Sequence, residues 1–223
     1  QDIWNMNMQS IMVRLPLDLF IGILLLSLKR WQKVFKNIFS SYLFVDECKS
    51  ELTLLKNHIL KLKSKDSTGR KRSNKGGWQS KSFEKVNSAN KEIFEELNKA
   101  AQYIKEKLDF SRKIKLLNYW YNINYKNCFN IPHLHASNNI IISGVLYIQI
   151  SQNCGKIIFR RHNQVFSMLY DERINNYNEY NSSTFSIAPQ TKRFLLFPSD
   201  LEHYVESNLD ETERISLSFN FGT

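Results

Sequence analysis

Three of the five histidines in this 223-residue chain fall in one pattern: His133-Leu134-His135, then His203 about seventy residues on, with Arg214-Ile215-Ser216 eleven residues beyond it. Residues two apart on a strand share a face, so one metal ion can take both imidazoles of the first pair while a distant strand end supplies the third. Three protein ligands leave coordination positions open, which an oxygen-activating Fe(II) centre requires. Arg214 and Ser216 share a face by the same rule. An arginine offers a two-pronged donor for a carboxylate, and a neighbouring hydroxyl adds a further hydrogen bond. Any one of these histidines alone reads as structural, and a His-x-His pair alone proves little. The combination with His203 and Arg-x-Ser points to a metal centre with an anion anchor. His58, on a lysine-rich helical stretch, and His162, after Arg160-Arg161, have no partner at ligand spacing.

The motifs around these residues carry a family resemblance. Trp120-Tyr121-Asn122-Ile123-Asn124, Asn130-Ile131-Pro132-His133-Leu134-His135 and Ser143-Gly144-Val145-Leu146-Tyr147 are followed by Leu195-Leu196-Phe197-Pro198-Ser199-Asp200-Leu201-Glu202-His203 and by Arg214 to Phe221. Together with the earlier Arg72-Ser73-Asn74-Lys75-Gly76-Gly77-Trp78-Gln79-Ser80, they resemble the 2-oxoglutarate-Fe(II) oxygenases found widely in marine bacteria and their phages. The resemblance covers roughly residues 38 to 223. It implies a double-stranded β-helix, the cupin-like jelly roll, with the metal near one mouth of the barrel. It places Fe(II) on His133, His135 and His203 and the distal carboxylate of 2-oxoglutarate on Arg214 with help from Ser216. Tyr147 and Asn122 become candidates to hydrogen-bond the cosubstrate, against their plainer reading as a core tyrosine and a structural amide. Trp120 reads as packing.

One departure stands out. The wider superfamily has His-x-Asp or His-x-Glu where this chain has His135, and a three-histidine site is less anionic, which alters iron affinity and redox tuning. Asp200 and Glu202 lie close to His203 in sequence and read as solvated turn residues. The reaction implied is consumption of 2-oxoglutarate and dioxygen, release of succinate and CO2, and hydroxylation of an unidentified substrate; superfamily relatives favour a peptidyl side chain. Two other readings stay open: a dioxygenase with three histidines that does not use 2-oxoglutarate, and a binding module without catalysis that docks an acidic polymer on a basic face.

The elements that must hold these residues are legible in the periodicity. From Lys113 onward the pattern is that of strands, so the fold class is mainly β with N-terminal helices. Ile215, Leu217, Phe219 and Phe221 alternate with Arg214, Ser216, Ser218 and Asn220, one greasy face and one polar. Residues 115–124 put Asn118, Trp120, Asn122 and Asn124 on one face, and 140–150 are apolar on both, as a central strand would be. Further strands are expected at 156–160, 184–188 and 193–197, and the Asn-rich stretch 175–183 reads as loop. Many short strands with polar turns suit a jelly roll. Before them, Leu52, Leu55, Ile59 and Leu62 form one helix stripe. A second helix is expected from Ser88, as N-cap, to about Asp109, burying Ile93, Leu97, Ala100, Ala101, Ile104 and Leu108. Both helices are expected to cover the larger sheet.

The domains expected are an N-terminal extension, 1–37, a helical region with a Gly-rich loop, 38–112, and a jelly-roll barrel, 113–223. Leu19 to Leu28 is strongly apolar, yet about twenty such residues are needed to span a bilayer, so no membrane span is expected; it reads as a docking helix or as sequence foreign to the domain. Cys48, Cys128 and Cys154 form no CxxC motif and suit a reducing, cytoplasmic setting as packing residues. Charge is uneven: residues 1–118 hold 23 Lys and Arg against 12 Asp and Glu, residues 119–223 hold 8 against 9. A basic half of this kind can attract nucleic acid or an acidic protein, although a solvated face is the favoured reading. The cluster Arg70 to Lys75 beside Gly76-Gly77-Trp78 is the exception, since an ordered basic loop near the barrel mouth could help hold substrate.

Overall fold

The computed structural model describes residues 41–135, 137, 139–161, 174–178 and 180–223. The extension 1–37, its apolar run and His162 lie outside the described residues. Two antiparallel sheets form the body. The larger has the order β1 (Phe44–Glu47), β9 (Arg193–Pro198), β6 (Ile140–Gln149), β11 (Arg214–Gly222), β4 (Lys115–Asn124), β3 (Trp78–Gln79). The smaller has the order β2 (Asn74–Lys75), β5 (Phe129–His133), β10 (His203–Val205), β7 (Ile157–Arg160), β8 (Thr184–Ile187). Sequential strands alternate between the sheets from β4 to β7 and again from β8 to β11, and the non-neighbouring order of β9, β6, β11 and β4 is the crossover pattern of a jelly roll.

Two helices, α1 (Thr53–Lys65) and α2 (Lys91–Lys107), contribute to one continuous apolar cluster with the larger sheet. Leu55 and Ile59 from α1 and Ile93, Phe94, Leu97 and Ile104 from α2 join Tyr119, Tyr121, Leu146, Leu217, Phe219 and Phe221 from the strands. Each such side chain, once buried, contributes roughly 1.5–3 kcal/mol. The alternation along β11 thus divides as its sequence requires, with Ile215 to Phe221 under the helices and Arg214, Ser216, Ser218 and Asn220 lining a cavity. A second, smaller cluster of Val145, Tyr147, Ile157, Phe159, Leu195 and Phe197 is formed by residues of both sheets.

Helix α2 begins later than its sequence suggests. Asn90, not Ser88, is its N-cap residue, because Asn87 Oδ1 accepts from Ala89 N–H at 2.9 Å and Asn90 Oδ1 accepts from Asn87 N–H at 2.8 Å, holding residues 87–90 in a turn. At the other end Leu108 lies beyond the last helical turn and is exposed, since the chain turns at Asp109 with φ of 52°. The Gly-rich loop belongs to both sheets: Asn74 pairs with Asn130 of β5, and Gln79 with Asn122 of β4. Gly76, with φ of 76°, makes the turn between them, in a conformation that favours glycine.

Candidate active site

The two sheets bring the metal candidates together by register. His203 on β10 sits directly opposite His133 on β5, and Phe159 of β7 flanks it on the other side. His135 lies two residues past the end of β5. Its position is set by a tertiary bond, His135 N–H donating to Ser199 O at 2.8 Å, in place of the strand ladder expected from its spacing. One ligand atom of each imidazole lies within 4.8 Å of the others, and among the described residues this is the group that could hold a metal ion. Glu202 is instead engaged with Arg160 at 3.3 Å. His58 lies by Asn87 and the Tyr121 ring.

Each ring is oriented through Nδ1, which leaves Nε2 for a metal. His133 Nδ1–H donates to Ile131 O at 2.8 Å and His203 Nδ1–H to Leu201 O at 2.9 Å. His135 Nδ1–H faces Asn220 Oδ1 and Ser143 Oγ, both at 2.9 Å; the Ser143 hydroxyl itself donates to Asn220 Oδ1 at 2.8 Å, and Asn220 Nδ2 donates to Asn118 Oδ1 at 3.0 Å. Asn118, Asn220 and Ser143 are cross-strand neighbours on β4, β11 and β6, so the network is a polar rung across three strands. The rung carries no charge. Burial lowers the proton affinity of all three imidazoles, pushing His135 down to about 4 and His203 to about 3, so each presents a neutral ring with a lone pair, the state in which histidine binds a metal.

The candidate anion anchor, Arg214 with Ser216, lies on β11, the strand that also carries Asn220. Arg214, 2% exposed, donates from Nη1 to Cys154 O and to Glu206 O, the latter at 3.1 Å. Its Nη2 is buried with no hydrogen-bond partner. A buried guanidinium donor left unpaired is costly, and a ligand carboxylate in the cavity that Arg214 lines would satisfy it. Ser216 is the cross-strand neighbour of both Asn122 and Tyr147, so these three residues form one patch. Burial pushes the Tyr147 phenol up, partly opposed by Arg214, so it keeps its proton and remains a donor. Asn122 donates Nδ2 to Ser218 Oγ at 3.0 Å and has its Oδ1 buried without a partner. A half-turn of that amide would give the Ser218 hydroxyl an acceptor and present Nδ2 to the cavity.

One cavity of about 600 Å³ is lined by all three histidines together with Arg214, Ser216, Tyr147 and Asn122. Metal candidates and anion anchor thus share one space. Trp120 also lines it and packs on His135, with ring centroids 5.5 Å apart. The residues that sequence reasoning left without a role are Asn118, Ser143 and Asn220. Their signal was available for the two asparagines, which share faces with Asn122 and Arg214 by period two; that of Ser143 was not, since only pairing of β6 with β11 puts it beside Asn220.

Residues 118–220 match the sequence model of the family described as "Putative 2OG-Fe(II) oxygenase". No curated protein matches the chain in sequence. Among solved structures, a Pseudomonas putida prolyl-4-hydroxylase is similar with a TM-score of 0.56 at 12% identity, covering 81% of this chain and 91% of that one. A Trichoplax adhaerens prolyl hydroxylase, in complex with a hypoxia inducible factor oxygen degradation domain peptide, gives 0.55 at 14% identity over 81% and 83%. The non-heme α-ketoglutarate dependent carbocyclase SnoK from nogalamycin biosynthesis gives 0.59 at 8% identity over 81% and 79%. The fold is therefore that of the double-stranded β-helix oxygenases.

Proposed function

We propose that this chain is a 2-oxoglutarate-dependent oxygenase that hydroxylates a peptidyl side chain, a reading supported by the family match of residues 118–220 and by the fold. The observation that carries the reading is the shared cavity: three neutral imidazoles with Nε2 available and, in the same space, a buried arginine donor with no partner. His133, His135 and His203 would hold Fe(II), and Arg214 with Ser216 would hold the distal carboxylate of 2-oxoglutarate. Bound together with dioxygen, these groups supply the oxidising chemistry, with release of succinate and CO2 and transfer of a hydroxyl group to substrate.

The protein's share is placement. Ile131 O and Leu201 O hold two rings by their Nδ1–H groups, and the Asn118–Asn220–Ser143 rung holds the third. Cys154 O and Glu206 O hold one side of the Arg214 guanidinium, directing its remaining donors to the ligand. Tyr147 and Asn122 would donate to the cosubstrate from adjacent strands. Phe159 and Phe197 pack on the His203 ring, and Phe197 and Val145 line the cavity with apolar surface. The preference for a peptidyl substrate draws on the prolyl hydroxylases among the structural neighbours. Three unpaired buried cysteines support a reducing, cytoplasmic setting. Among the described residues no helix is long and apolar enough to cross a membrane.

An anaerobic titration of the apo protein with Fe(II) and then 2-oxoglutarate tests this reading, following the visible metal-to-ligand charge-transfer band of the chelated cosubstrate. A saturable band that is lost in Arg214→Ala is expected. Tight iron binding without a band would instead indicate a three-histidine dioxygenase that does not use 2-oxoglutarate. Absence of iron binding would indicate a binding module.

A further inference from the structure

We infer that the peptide oxidised at this site is acidic, with carboxylates flanking the target residue that are read at the cavity mouth by Arg72 and Lys81. The inference rests on the peptidyl reading above and adds the charge of the substrate. Four cations, Arg70, Arg72, Lys81 and Arg214, line the cavity, and among the described residues no aspartate or glutamate does.

The four cations are not equivalent. Arg214 is buried, and its unpartnered Nη2 belongs to the proposed anion anchor. Arg70 is paired with Asp66 at 3.5 Å, both side chains being about half exposed. Arg72 and Lys81 are exposed and form no ion pair among the described residues; Lys81 Nζ lies over the Phe83 ring, 5.6 Å from its centroid. A charge lining a substrate cavity without a counter-charge is available to a ligand.

Both sit on a backbone that is tied down. The Arg72 N–H donates to Asn74 Oδ1 at 2.8 Å, and Ser73 O accepts from Ile131 N–H of β5 at 2.9 Å. Ser80 N–H donates to Tyr121 O of β4 at 2.9 Å, and Arg70 N–H to Gln79 O at 2.7 Å. The loop is thereby stitched to both sheets on either side of the opening. Between the cations the lining is neutral and hydrogen-bonding, from Ser73, Gln79, Ser80 and Ser82, which suits peptide amides; no aromatic side chain of this loop lines the cavity to stack a nucleobase. The site's own charge points the same way. Three neutral histidines offset none of the charge of a divalent ion, so a dianionic cosubstrate leaves the filled site neutral and Arg214 leaves it positive.

The test uses fluorescein-labelled decapeptides with a central proline flanked by glutamates or, in the control, by glutamines. Each is titrated by anisotropy, at low salt, against the full chain with Ni(II) and 2-oxoglutarate. Two ion pairs at an exposed mouth predict that the glutamate peptide binds about tenfold tighter, with the difference shrinking as salt is raised. Arg72→Gln with Lys81→Gln should erase that difference while 2-oxoglutarate affinity, read by calorimetry, stays at the wild-type value. Equal binding of the two peptides, or a preference that survives the double substitution, would overturn the inference. So would an oligonucleotide of matched charge that displaces the peptide equally well, since the loop would then be reading polyanion charge. Failure of the wild-type protein to bind 2-oxoglutarate at all would overturn the oxygenase reading beneath it, a separate readout from the peptide titration.

Discussion

Single side chains at this site have separable jobs, and substitution should separate them. His203 is the most buried of the three imidazoles and faces His133 across β10 and β5, so His203→Ala is expected to abolish Fe(II) retention, measured by metal analysis after desalting. Arg214→Ala should retain the metal and weaken 2-oxoglutarate binding by about ten- to a hundredfold, the scale of a lost charge-assisted hydrogen bond, measured by calorimetry with Ni(II). Equal loss of metal in both variants would indicate misfolding and count for neither role. Arg214→Lys should not restore binding, because one ammonium cannot both keep the two carbonyl contacts and present a planar donor to a carboxylate.

At the scale of the elements, the three strands β4, β11 and β6 act as one frame. Asn118, Asn220 and Ser143 form a rung whose end holds the His135 ring, although none of them is placed to touch the metal. Asn220→Leu removes the amide acceptor of the His135 Nδ1–H, leaving only the Ser143 hydroxyl beside it, and is expected to lower metal affinity about tenfold, the low end of what loss of an outer partner costs at other metal sites. Ring orientation by this rung would show as a changed d–d spectrum in the Co(II)-substituted protein; an unaltered spectrum with unaltered affinity would rule it out. The frame also depends on close approach. A Cβ on Gly144 would meet the Phe219 ring and lie 2.6 Å from Leu195 O. Gly144→Ala should therefore cost about 1–3 kcal/mol, read as a lowered midpoint in urea, because both neighbours are packed in the core.

The described residues form a barrel whose helices cover one sheet and whose Gly-rich loop belongs to both. Ligands that bind only this assembled cavity stabilise it by mass action, so Ni(II) with 2-oxoglutarate at about a hundred times its dissociation constant should add roughly 2.7 kcal/mol. Differential scanning fluorimetry should show Tm rising with both additions in the wild type and with Ni(II) alone in Arg214→Ala. A rise in the variant on adding 2-oxoglutarate would remove Arg214 from the anchor. The loop's attachments to β5 and β4 make residues 69–82 part of the barrel's architecture, whereas composition alone placed them with the helices.

The sequence by itself determined the chemistry on offer and most of the frame. Period-two alternation along 115–124 and 214–221 separated the cavity face from the helix face, because a strand buried on one side leaves that pattern in its composition. His133, His135, His203, Arg214 and Ser216 were readable as a group from type and spacing, and one cavity is lined by all five. Tertiary structure decided what spacing cannot carry. His135 lies beyond its strand and is held by Ser199 O and by a neutral rung from three distant strands; pairing between segments far apart in sequence creates those contacts. It also decided that Arg214 keeps an unpaired donor while its other nitrogen is occupied, and that Arg72 and Lys81 reach the same cavity without acidic partners among the described residues. Which donors remain unsatisfied depends on every neighbour in space, and only the folded chain sets those neighbours.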